Sequence, residues 1–184
     1  MRKIPDLDHR LRSLAENGET ELLREEITRT PDIVKHCDEF GWTLLHRAAH
    51  FGHASTVEML LELNANVNAM DLKRDTPLHD AATGYEAHVP VMALLVSRGA
   101  QINARNTAWK SPIMICTQYS NLTGFAFLLG CGARLDFKDR CNMTILHELN
   151  YQVAYLPKGK KYARQRQDLK AMLGWAEVLC NRKE

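Results

Sequence analysis

The chain has no run of 18 or more apolar residues among its 184, so a membrane-crossing helix, which needs about 20, is not expected. Its start, Met1-Arg2-Lys3-Ile4-Pro5-Asp6, lacks the apolar stretch of a secretory leader. Cysteine is sparse and odd in number, with Cys37, Cys116, Cys131, Cys141 and Cys180 forming no C-x-x-C pair. This points to reduced thiols in an intracellular compartment, cytoplasmic or nuclear. Strong charge is missing too. A net charge of +2 offers no whole-molecule field to attract nucleic acid or a membrane surface. There is no G-x-x-x-x-G-K-[ST] phosphate loop, G-x-S-x-G elbow or H-E-x-x-H zinc helix. No catalytic residue, cofactor or metal is expected.

What is present is a repeated unit, clearest from Asp71 to Ala104: D-L-K-R-D-T-P-L-H-D-A-A, then M-A-L-L-V-S-R-G-A-Q-I-N-A. Thr76 is placed to cap a helix, and Pro77 stands at the first helical position, where no N–H is needed. Leu78, Ala81 and Ala82 give that helix a small, closely packing side. Met92 to Val96 forms a second apolar segment that Gly99 stops in a left-handed conformation. One such unit cannot bury its own apolar face, so it must recur. It does: units open at Asp38, Asp71, Asn106 and Asp139, at intervals of 33, 35 and 33 residues.

The T-P-L-H-x-A-A and L-L-x-x-G-A-x-x-N-A pattern at a period near 33 resembles the ankyrin repeat. The resemblance implies an all-α solenoid of about five helix-turn-helix units with connecting β-hairpin turns. The boundaries are 38–70, 71–105 and 106–138 for internal repeats, between an N-terminal cap at 1–37 and a C-terminal cap at 139–184. Leu11, Leu14 and Ala15, then Leu22, Leu23 and Ile27, give the first cap two helices. Charged residues fill its outer face, as the end of an array requires. In the second unit Leu44 replaces proline and Asn64 replaces the stop glycine. The third carries two extra residues within 83–91. In the fourth, Trp109 takes the turn glycine position, Met114 the histidine, and Cys116-Thr117 the alanine pair. The last has an enlarged loop at 152–162, marked by Pro157 and Gly159, before a helix from Ala163 to Cys180.

His46, His79 and His147 share one repeat position, so stacking spreads them along the array and prevents convergence on a metal. Each is expected to bridge its own capping threonine and the next repeat's backbone. His36-Cys37 and His50/His53 lack the second pair that zinc requires.

The resemblance further implies a protein partner of unidentified nature, bound on a concave face built from the hairpin turns and the first helices. The chain would serve as adaptor, inhibitor or assembly subunit, monomeric alone or within a hetero-complex. Carried over onto this sequence, that face comprises Glu39, Phe40, Trp42, His50 and Phe51 in the second unit. It continues through Leu72, Lys73, Asp75 and Thr83, then Thr107, Ala108, Lys110, Gln118 and Tyr119, and ends at Arg140, Met143 and Tyr151. Phe40 and Trp42 stand out, because aromatic anchors are enriched at interfaces and a turn needs none to fold. On that reasoning Trp42 can be removed with little change in stability. Lys158, Lys160, Lys161, Arg164 and Arg166 form a basic run that offers an alternative contact for nucleic acid or anionic lipid. The resemblance also suggests hydroxylation at the hairpin asparagines Asn68 and Asn103.

Overall fold

A computed structural model describes residues 5–84, 88–157, 159 and 163–181. Each of the four units after the first begins at the acid or amide named above, and that side chain folds the turn that follows. Asp38 Oδ1 accepts from the Phe40 and Trp42 amides at 2.8 and 2.9 Å. Asp71 accepts likewise from Lys73 and Asp75, Asn106 from Ala108 and Lys110, and Asp139 from Cys141 and Met143. A short polar side chain that bonds the backbone just ahead of it stabilises a turn.

The fourth turn position is left-handed throughout: Gly41, Arg74, Trp109 and Asn142 have φ of 82°, 61°, 62° and 62°. Only Gly41 is sterically required, since a Cβ there would lie 2.9 Å from the Leu72 nitrogen. Successive tips are joined by single backbone bonds, from the Leu72 N–H to Phe40 O, Thr107 to Lys73 O and Arg140 to Ala108 O. The turns close through isolated bridges, Cys37 with Thr43 and Lys138 with Thr144, and no strand forms among the described residues.

Behind the tips stand two rows of helices. The inner row is α1 (Pro5–Asn17), α3 (Leu44–His50), α5 (Pro77–Ala82), α7 (Pro112–Gln118) and α9 (Ile145–Tyr155). The outer row is α2 (Thr20–Arg29), α4 (Ala54–Glu62), α6 (Val89–Ser97), α8 (Leu122–Gly130) and α10 (Ala163–Asn181). Inner helices pack on inner neighbours, outer on outer, and each pair packs together. Helices this short do not persist alone, so burial holds them. Ala48, Ala49, Ala81 and Ala82 are fully buried, which lets the inner backbones approach closely.

Asn64 ends α4 at φ 62°, as its tolerance of the left-handed region implied. The insertion in the third unit falls partly outside the described residues, and α5 still packs against α6. One expectation fails. Residues 152–155, assigned to a loop, continue α9 as far as Tyr155. Val153 and Leu156 pack against the core there, and no helix breaker arrives before Pro157.

Candidate interaction surface

The motif histidines are committed to the scaffold. Nδ1 of His46 accepts the Thr43 amide at 3.1 Å, and its Nε2–H donates to the Asp75 carbonyl at 3.1 Å. His79 repeats this with Thr76 and Lys110, and His147 keeps the Thr144 half. A ring whose Nδ1 accepts a main-chain N–H is neutral and carries its proton on Nε2. Burial lowers the pKa of His46 and His79 from the ordinary imidazole value. Among the described residues, no group of three His, Cys, Asp or Glu side chains could hold a metal ion.

Two buried polar side chains depart from this pattern. Where the fourth unit has Met114 in place of histidine, the Ser111 hydroxyl is buried with no hydrogen-bond partner. Next to His79, Asp80 lies in the interior and its Oδ2 is likewise unpartnered. Desolvation, with Asp75 and Asp71 adding repulsion, raises the Asp80 pKa well above the usual carboxylate value. Nothing in the sequence pattern distinguished this position, which holds Arg47, Ile115 and Glu148 in the other units.

The residues carried over as a partner face divide into free and engaged. Phe40 is 60% exposed and Leu72 72% exposed, and the bond between their backbones makes them neighbours on adjacent tips. Glu39, Lys73, Gln118 and Arg140 are also exposed. So are Phe51, Tyr119 and Tyr151, the last lying 4.6 Å from the Tyr155 ring. His50 meets the Thr83 hydroxyl at 3.3 Å, Lys110 reaches Gln118 at 3.0 Å, and Met143 is half-buried. Asp75 is engaged, its carboxylate by Asn106 and its carbonyl by His46.

Trp42 corrects the expectation that its removal leaves stability unchanged. It is half-buried, its indole N–H donates to Asp71 Oδ2 at 3.1 Å, and the Arg47 guanidinium covers its ring at 5.4 Å. The hairpin of one unit rests on the acid that opens the next, so this aromatic joins repeats as well as facing outward. Asn68 also spans repeats: Nδ2 donates to Gly99 O and Oδ1 accepts the Gln101 amide. Asn103 accepts the Arg134 amide at 2.9 Å.

In the basic run, Lys158, Lys160 and Lys161 lie outside the described residues. Arg166 donates to the Gly159 carbonyl at 2.9 Å, and Arg164 is also engaged. A second cationic group lies at the tips, Arg74 and Arg105 beside the exposed Trp109, and the repeat pattern does not mark it. Its one signal was a tryptophan in a turn position that favours glycine.

Comparison with known proteins adds a family description. The family model described as "Ankyrin repeats (3 copies)" matches residues 11–106, stopping where the eroded unit begins. Rabankyrin-5 of Mus musculus is 33% identical over 105 residues, covering 54% of this chain and 9% of that protein. Neurogenic locus notch homolog protein 1 of Danio rerio is 28% identical over 138 residues, or 72% of this chain and 6% of the relative. Transient receptor potential cation channel subfamily A member 1 of Homo sapiens is 28% identical over 137 residues, or 73% and 12%. The chain thus spans no more than 12% of the length of these relatives.

Proposed function

Because the chain belongs to the ankyrin-repeat family, whose repeats are generally non-catalytic protein-interaction modules, we propose that it binds a protein partner through its hairpin tips and the exposed sides of its inner helices. The observation that carries this reading is the pair Phe40 and Leu72. Both are large, apolar and mostly exposed on neighbouring tips, and only their backbones, not their side chains, take part in the bonds that fold and join the turns. Such side chains act as anchors when a partner desolvates them. The tips are already tied to each other and to the helices, so little conformational entropy is lost on docking. In this reading the chain serves as adaptor, inhibitor or assembly subunit. The exposed Tyr119 and Tyr151 extend the surface toward the last unit. Hydroxylation at Asn68 or Asn103 would require the turn to open first, since both side chains tie one repeat to the next.

The test is affinity capture from a cell extract with quantitative mass spectrometry. Substituting Phe40→Ala and Leu72→Ala together is expected to reduce recovery of the specific partner by about tenfold or more, with the melting curve essentially unchanged. An unaltered set of bound proteins would contradict the reading. Trp42→Ala is unsuited to this test, since it also removes the bond to Asp71.

A further inference from the structure

A cleft of about 340 Å³ opens at the tips of the third to fifth units, lined by Arg74, Arg105, Asn106, Thr107, Trp109 and Arg140. Among the described residues, no carboxylate forms an ion pair with its three guanidiniums, those of Arg74, Arg105 and Arg140. Arg105 is held in place by other means. Its guanidinium lies 5.1 Å from the centre of the Trp109 ring and 5.0 Å from that of Phe137. Its N–H groups donate to the carbonyls of Trp109 and Lys138. The nearby acids are taken up by the scaffold. Asp71 accepts two amides and the Trp42 indole, Asp139 accepts two amides, and Asp75 holds Asn106.

Trp109 itself calls for an explanation. It sits at φ 62° and is 54% exposed, so the fold bears a strained backbone position and an exposed indole together. The second unit meets the same turn with Gly41. What the indole supplies is an apolar, cation-stacked wall to a cleft edged by arginines. Guanidiniums pair with carboxylates in a planar two-toothed geometry, and an indole beside them accepts an apolar side chain.

We infer that this cleft docks an extended, acidic segment of a protein partner, with carboxylates on Arg74, Arg105 and Arg140 and an apolar residue against Trp109. The inference rests on the protein-interaction reading above and names the partner's chemistry. Two observations favour a peptide over nucleic acid. The whole chain carries only +2, and a phosphate backbone is held by charge spread along a long track. The line of tips also continues from the arginines to the apolar Phe40 and Leu72, which suits a segment with both acidic and apolar residues.

Fluorescence anisotropy on the full chain tests this with three labelled probes: a dodecapeptide of glutamates interrupted by leucines, its glutamine counterpart, and an oligothymidylate of matched length. At near-physiological salt the glutamate peptide is expected to bind at least about tenfold more tightly than the glutamine peptide. Arg74→Gln with Arg140→Gln should weaken it by about tenfold or more, with the melting temperature unchanged because both side chains are exposed. The inference is overturned if the wild type does not bind the glutamate peptide, if the glutamine peptide or the double variant binds equally well, or if oligothymidylate binds as tightly. Affinity capture separates this from the wider reading. Loss of the extract partner in Phe40→Ala/Leu72→Ala, with no effect of the arginine substitutions, overturns the acidic-segment inference alone. No effect from either pair overturns both.

Discussion

Asp80→Leu is expected to stabilise the protein by about 2 kcal/mol at neutral pH, read as a higher urea midpoint with an unchanged slope. A buried carboxyl with an unpartnered oxygen has lost its hydration without replacement, and such a group costs about 1–3 kcal/mol. The equivalent position in the fourth unit holds Ile115, 8% exposed, so a branched apolar side chain fits this point of the repeat. The sign with pH follows from the raised pKa. The folded protein keeps the Asp80 proton to a higher pH than the unfolded chain, so this contribution to stability is present below the ordinary value of 3.8 and lost as pH rises through the raised one. The benefit of leucine should therefore shrink as pH falls toward about pH 4. A substitution that is neutral or destabilising at pH 7 would mean that Oδ2 has a partner after all.

One residue away, His79→Ala should do the opposite, lowering stability by about 3–4 kcal/mol. The ring is fully enclosed, and its loss strands the Thr76 amide and hydroxyl together with a lone pair of the Lys110 carbonyl. It also parts two units, because Lys110 belongs to the next repeat. Protonation acts on the same bonds. Burial depresses the pKa of His46 and His79, so the unfolded chain takes up protons first as pH falls. Their contribution is complete above the ordinary imidazole value and declines as pH drops below about 6.5, by up to about 1.4 kcal/mol per pH unit for each ring. Denaturant titrations at stepped pH check this, and a flat profile between about pH 7 and 5 would count against it.

The fold was largely legible because its determinants are local and recur. The opening Asp or Asn folds its own turn, the capping threonine pairs with a histidine three residues on, and small residues mark where the inner helices touch. The features that escaped depend on what the next unit brings. Asp80 occupies the variable position of the T-P-L-H-x-A-A pattern, and only the approach of neighbouring helices makes it buried. Trp42 was read as a free anchor because its partner, Asp71, lies 29 residues away. The extension of α9 reflects core contacts of Val153 and Leu156 that outweighed departure from the repeat pattern. On the candidate surface, the exposure of Phe40 and Leu72 agrees with the turn positions they hold in the repeat. The arginine cleft was missed because its members come from three tips that no single repeat displays.

The central claim is that partners dock on the tip and inner-helix face. Site-specific photo-crosslinking in a cell extract addresses it most directly, with a benzophenone amino acid placed in turn at Phe40, Tyr119, Glu58 and Glu177. The last two are exposed on the outer helices α4 and α10. The account predicts discrete protein adducts from Phe40 and Tyr119 and none from Glu58 or Glu177. Adducts confined to the outer helices would contradict it.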